Sequence, residues 1–202
     1  MQPSRSVPSV LQRRPLVAAL TQSRPGQSDP LVVAGLGSAA WDITAAGDRD
    51  LNFPLWGAMG GAVSVGLGLA IAQPDRRVLV VTGDGELLMG LTALTTIAAM
   101  APDNLAVLVL DNETYGETGG QRTNTARGTD LAAMAAAAGI AQAWTITSSE
   151  EVAAAIEKLR GAKGPLVCVA KVRFEELPLV LPPKDGAVLR ERLRRALGVS
   201  GD

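Results

Sequence analysis

Asp84 stands between Gly83 and Gly85, directly after the apolar run 78–81, and Asn112 lies 28 residues further on, just beyond a second apolar run at 105–110. A carboxylate and an amide oxygen at the ends of two strands can meet at one point. With a backbone carbonyl, phosphate and water completing the set, such hard oxygen donors suit Mg²⁺. Gly83 and Gly85 let the chain turn sharply and leave room for a ligand. An Asp-Gly turn alone is an ordinary loop feature. The asparagine placed after the next strand is what turns it into a candidate metal and diphosphate site. The amides of Gly85 and Glu86, at a strand-to-helix junction, would face a phosphate from a helix N-terminus. A carboxylate at position 86 would repel that phosphate. The Glu86 backbone is therefore expected to serve and its side chain to point away.

Other residues join the same edge. Gly37-Ser38 follows the first apolar run, and the Ser38 hydroxyl can either donate to a diphosphate or cap the next helix. Residues 112–128 have no strong period and hold Gly116, Gly119, Gly120 and Gly128, the pattern of a functional or mobile loop. Within it Thr118 and Gln121 supply neutral donors, and Gly119-Gly120 can expose amides as an anion nest. Arg122 and Arg127 can meet an anionic head group or lie on a solvated loop face.

The elements that must position these residues alternate along the chain. Apolar strands are expected at 31–34, 77–82, 105–110, 143–147 and 166–172, with a short strand or turn at 51–53. Helical stretches are expected at 10–21, 39–46, 59–72, 87–100, 129–138 and 187–197. Ser148 and Glu151 form a capping-box pair opening a helix to Gly161, and 174–183 reads as extended. The alternation predicts an α/β fold, a doubly wound and mostly parallel sheet with helices on both faces. Glycine recurs in 59–72, where it is a poor helix former, so close backbone packing is expected there. Both candidate ligands then fall outside the carboxyl ends of strands, where open α/β sheets bind ligands. The domain reading is a tail and first helix at 1–28, a cofactor-binding domain at 29–172, and an extension with a helix at 173–202.

Composition narrows the chemistry. The chain has 202 residues, a net charge of −1, one cysteine and no histidine. That size fits one domain. The single Cys168 excludes a disulfide framework, a CxxC zinc site and a cysteine-ligated cluster within the chain. The lack of histidine excludes imidazole acid–base chemistry and His-ligated metals, unless another chain supplies the ring. No nucleic-acid surface is indicated, and the arginines of 190–195 read as a solvated helix face or a subunit contact. No apolar run is long enough to span a membrane. The basic, acid-free residues 1–28 are read as a tail and helix in preference to a transit peptide, and a cytoplasmic location is expected.

The spacing of Gly83-Asp84-Gly85 and Asn112 resembles the signature of thiamine diphosphate-dependent enzymes. Trp56-Gly57-Ala58-Met59-Gly60 is similar to that family's pyrimidine-holding segment. Tyr115-Gly116-Glu117-Thr118-Gly119-Gly120-Gln121 resembles a loop of phosphonopyruvate and sulfopyruvate decarboxylases, and the stretch 184–198 resembles their tail. The resemblance implies thiamine diphosphate and Mg²⁺ as cofactors, with Asp84, Asn112 and the Thr114 carbonyl as metal ligands. It implies that the Gly57 carbonyl accepts from the aminopyrimidine and that Met59 wedges the bend between the two rings. It also places Tyr115, Thr118 and Gln121 beside the substrate, a small anionic 2-oxo acid to be decarboxylated. The glutamate that activates the cofactor belongs, in the family, to a separate pyrimidine-binding domain for which this domain has no room. An α subunit is therefore expected to supply it, in an α2β2 assembly; a homodimer without activity is the other possibility. A carboligase, a 2-oxoacid:ferredoxin oxidoreductase component and a non-catalytic cofactor-binding module are the competing readings. The absence of a cysteine cluster weighs against the oxidoreductase.

Overall fold

A computed structural model describes residues 11–199. Its main sheet is built from six strands: β1 (Leu31–Ala34), β2 (Asn52–Pro54), β3 (Val78–Gly83), β4 (Leu105–Asp111), β7 (Gln142–Ile146) and β8 (Leu166–Lys171). Their spatial order is β2-β1-β3-β4-β8-β7, and every neighbouring pair is parallel. The central strands are buried on both faces, which is why β3 and β4 read as unbroken apolar runs without alternation. A two-stranded antiparallel ribbon, β5 (Thr114–Tyr115) and β6 (Gln121–Arg122), carries the loop beyond β4.

Successive strand residues feed two cores. Val32, Ala34, Leu79, Val81, Leu108 and Cys168 pack under α1 (Arg13–Thr21), α2 (Ser38–Ala45) and α7 (Ser149–Gly161). Leu31, Val33, Val78, Val80, Val107 and Val167 pack under α3 (Ala62–Ala72), α5 (Ala93–Met100), α6 (Leu131–Ala137) and α8 (Gly186–Ala196). The expected doubly wound layering is therefore present. In α3, Gly66 lies against Val80, leaving no space for a Cβ, as the glycine content suggested, whereas Gly68 faces open space.

Chain direction reverses between β1 and β3. From β1 the chain moves outward to β2, and from β3 it moves the other way to β4. A crevice at such a switch point, beyond the carboxyl ends of the strands, is the natural ligand position.

Several expected boundaries shift. The first helix starts at Arg13, and Val10 lies outside the described residues, as do residues 1–9 of the tail. The stretch 87–100 is not one helix. A six-residue helix α4 (Asp84–Met89) starts at the aspartate itself, stops at Gly90, and α5 follows. At this break the backbone passes so close to Gly60 that a Cβ on Gly90 would collide with the Gly60 carbonyl, so only glycine fits. The helix expected from 59 begins at Ala62, because Gly60 holds φ +87. The 51–53 segment is the edge strand β2. The Ser148–Glu151 capping box forms as read. In α8, Arg192 is not merely solvated. It pairs with both Asp48 oxygens (2.6 and 2.7 Å) and donates to the Asn52 carbonyl, covering the β2 edge.

Candidate active site

Three chain segments meet at the switch point. Ser38 is the first residue of α2, just after β1. Asp84 opens α4 after β3, and Asn112 and Thr114 follow β4. They line one cleft of about 290 Å³ together with Met59, Gly85, Glu86, Tyr115 and Thr118. Gly37, Gly57 and Gln121 are not among its lining residues. Ser38 does not cap α2 as one expectation had it; the cap position is Gly37, at φ +79, and it makes no side-chain capping bond. The Ser38 hydroxyl is thus not committed to capping.

The β4 end is a pair of tight turns. Glu113 N–H donates to Asp111 Oδ1 (3.1 Å) and Thr114 N–H to Asn112 Oδ1 (2.9 Å). Between them Glu113 adopts φ +61, a left-handed conformation unusual for a side-chain-bearing residue. Such strain persists only where neighbours over-determine it, and it clusters at functional sites. Here the two flanking side chains hold it. An amide oxygen has a second lone pair, so Asn112 Oδ1 can accept from Thr114 and still face a cation.

Asp84 is buried and anchored from the far side of the loop. Its Oδ2 accepts from Thr123 Oγ1 (2.5 Å) and Thr125 Oγ1 (3.1 Å). Thr125 also reaches Asp111 Oδ1 (2.8 Å), which in turn pairs through Oδ2 with Lys171 (2.9 Å). Two acids therefore share one threonine in a dry setting. Burial, then the Asp111 charge, push Asp84 up to about 6, against smaller opposing hydrogen bonds from Thr123, Thr125 and the backbone. Burial alone would lower Lys171, yet its bonds to Glu113 and Asp111 outweigh this and keep it raised. Asp111, Thr123, Thr125 and Lys171 were not found by sequence reading. The acid ending an apolar strand was the available signal for Asp111. Nothing local marks the threonines, which lie 39 and 41 residues from Asp84.

The donor set suits the implied metal. Burial and the neighbouring Asp111 disfavour a charge on Asp84, which a bound cation would relieve, and the carboxylate, amide and carbonyl oxygens are the types Mg²⁺ prefers. Gly85 is equally specific. A Cβ there would fall on the Tyr115 ring, so the ring packs directly against the turn.

The Glu86 carboxylate turns to the amides of Gly60 (3.0 Å) and Ala62 (3.1 Å) and is buried, and this burial raises its pKa. The outer loop is different in kind. Thr118 Oγ1 donates to Gln121 Oε1 (3.0 Å), and Gln121 Nε2 returns a bond to the Thr118 carbonyl (2.8 Å). Both side chains are exposed. Arg122 pairs with Glu113 (2.7 Å), and neither Arg122 nor Arg127 lines the cleft. Across the mouth, the extended segment beyond β8 is tied by Arg13 to the Glu175 carbonyl, by Arg14 to that of Pro178 and by Trp56 to that of Pro183.

A parallel α/β sheet with an Asp–Asn pair and a glycine turn at its switch point defines a class of domain that takes its ligand beyond the carboxyl ends of the strands. The family described as the C-terminal TPP-binding domain of thiamine pyrophosphate enzymes matches residues 38–170, and the chain belongs to it. A phosphonopyruvate decarboxylase of Streptomyces viridochromogenes is 41% identical over 156 residues, 77% of this chain and 39% of that enzyme. A sulfopyruvate decarboxylase of Methanosarcina acetivorans is 41% identical over 135 residues, 67% of this chain and 35% of that enzyme. The chain thus spans well under half the length of these two relatives. The sulfopyruvate decarboxylase subunit beta of Methanococcus maripaludis is 34% identical over 146 residues, 72% of this chain and 77% of the subunit. The benzoylformate decarboxylase of Polynucleobacter necessarius shares the fold, with a TM-score of 0.69 at 20% identity over 89% of this chain and 36% of that one.

Proposed function

We propose that this chain is the diphosphate- and Mg²⁺-binding subunit of a two-component thiamine diphosphate-dependent 2-oxo acid decarboxylase. The observation that carries this reading is the convergence of Ser38, Met59, Asp84, Asn112 and Thr114 on one cleft at the sheet's switch point. Asp84, Asn112 Oδ1 and the Thr114 carbonyl would hold Mg²⁺. The Ser38 hydroxyl and the amides of Gly85 and Glu86 would meet the diphosphate. The Gly57 carbonyl would accept from the aminopyrimidine, and Met59 would brace the bend by bulk. When bound, the cofactor supplies an electron sink for the carbanion left as CO₂ departs. The chain's own contribution is to bind and orient it, with Leu36, Leu110 and Tyr115 helping to exclude water from the cleft.

The substrate class we assign is a small 2-oxo acid with an anionic head. Phosphonopyruvate and sulfopyruvate decarboxylases among the relatives support decarboxylation over carboligation, ferredoxin-linked oxidation or a silent binding module. Asp84, Glu86, Glu117, Glu175 and Glu176 line the cleft, and the one cation lining it among the described residues, Arg13, is bound to Asp42 (2.5 Å). This supports recognition of the anionic head by another chain; we assign that role, and supply of the activating glutamate, to a pyrimidine-binding α subunit in an α2β2 assembly, and the relatives named as beta subunits support a partner. Among the described residues no helix is long and apolar enough to cross a membrane, and we assign the enzyme to the cytoplasm.

The test is calorimetric titration of the chain with thiamine diphosphate, with and without Mg²⁺. CO₂ release from sulfopyruvate and phosphonopyruvate is then measured by the chain alone and with its companion. Mg²⁺-dependent binding with negligible turnover alone is the expected result. Robust turnover by the isolated chain would overturn the two-component reading, and failure to bind would overturn the site.

A further inference from the structure

We propose that Glu86 is a positioning residue: its carboxylate clamps the segment carrying Gly57 and Met59 onto the helix that starts at Asp84, fixing the spacing between the two ends of the bound cofactor. This inference rests on the proposed cofactor site, and it assigns the Glu86 side chain a task that its backbone amide does not perform.

Glu86 is 4% exposed. Burying a carboxylate is costly unless its charge is answered. The answer is at the start of α3, where Oε1 accepts from Gly60 and Ala62 at the positive end of an eleven-residue helix. A local serine or threonine could cap that helix at far lower desolvation cost. Instead the N-cap is Gly61, with no side-chain cap, and the acceptor comes from 24 residues away. A cap delivered from that distance ties two segments together. Oε2 has no hydrogen-bond partner among the described residues, and a Cβ built on Gly35 would lie 3.0 Å from it, so the carboxylate is wedged between the end of β1 and the start of α3.

The tied segment needs support. Residues 57–61 precede α3 without regular structure, and Gly57 and Gly60 adopt φ of +65 and +87. Glycine at such positions leaves the backbone pliable. A second contact holds the same place: Gly90, at the other end of α4, packs its backbone against Gly60. One short helix thus presents the metal ligand at its first residue, the clamp two residues later and the glycine contact at its end. The metal end and the bend of the cofactor are set on one rigid piece.

The test compares Glu86→Ala, Glu86→Asp and Glu86→Gln in the full chain by titration calorimetry with two probes, Mg²⁺–thiamine diphosphate and Mg²⁺–inorganic diphosphate. Aspartate is too short to reach both amides, whereas the glutamine oxygen retains both bonds. Glu86→Ala and Glu86→Asp should weaken the thiamine diphosphate complex about tenfold, the size of a lost charged hydrogen bond. Inorganic diphosphate, which does not reach Met59, should change by less than about twofold, and Glu86→Gln should stay within about threefold of wild type for both probes. Parallel losses for the two probes, or an unchanged thiamine diphosphate affinity in Glu86→Asp, would overturn the clamp. If Glu86→Ala does not fold, the aspartate and glutamine pair decides. A wild-type chain that binds neither probe would remove the cofactor site itself, whereas wild-type binding of both with no selective loss in Glu86→Asp removes only this inference.

Discussion

The metal end of the cleft and the outer loop lie a few residues apart in sequence, yet they are built on different terms. At the metal end Asp84, Asp111, Thr123 and Thr125 are buried and joined by bonds that cross between β3, β4 and the loop. In the outer loop the Thr118 and Gln121 side chains are exposed, and the bonds they make are local, within the same turn. The first arrangement is fixed by the protein's own long-range bonds, at the cost of an acid held well above its ordinary pKa. The second leaves its donors at the surface, suited to being organised by another surface. The contrast agrees with the proposed division of labour, in which this domain anchors the cofactor and a partner completes the substrate side.

The largest test of that contrast is Asp84→Ala, which should abolish Mg²⁺-dependent thiamine diphosphate binding in a titration. Activity surviving in a reconstituted complex would show that the anchor is elsewhere. Next is pH. Asp84 has a folded pKa of about 6 against an ordinary 3.8, so between those values the folded state binds more protons than the unfolded state. The contribution of Asp84 to metal-free stability should therefore be fully present below about pH 4 and be lost as pH rises through about 6. Denaturant unfolding would show this slope, and Asp84→Asn should flatten it. Thr123→Val should then weaken Mg²⁺ binding by about 10- to 100-fold, the usual effect of losing a group that orients a metal ligand. Thr123→Ser should restore it, and an equal defect in the serine variant would argue for packing instead of the hydroxyl bond. On the outer side, Thr118→Ala and Gln121→Ala should leave cofactor affinity within about twofold and raise the KM of the reconstituted enzyme, the signature of lost substrate binding alone. The smallest effect is expected from Arg122→Ala, which breaks a surface ion pair and should change stability by less than about 1 kcal/mol. A large loss there would mean that the loop is as tightly built as the metal end.

Much of the architecture was legible because it rests on local pattern. Apolar runs of strand length, buried on both faces, mark a parallel sheet, and the glycine turn after one run with an asparagine after the next places two donors at one edge. The Ser148–Glu151 cap is legible for the same reason, since its bonds join residues three apart. The break at Gly90 was not, because an isolated glycine is tolerated inside a helical pattern, and the contact that requires glycine there is made with Gly60, thirty residues earlier.

The sequence by itself therefore determined the layered α/β class, the placement of the candidate ligands at strand ends and the residue types able to hold a metal and a phosphate, all consequences of short-range periodicity and spacing, while the strand order that makes that edge a switch point came from the tertiary structure. Only the tertiary structure decided what surrounds those residues. It brought Thr123 and Thr125 onto Asp84, set Asp111 close enough to raise its pKa, laid Tyr115 on Gly85, and turned Glu86 onto the amides of Gly60 and Ala62. Desolvation and long-range hydrogen bonding depend on which distant segments share a buried volume, and no local pattern encodes that.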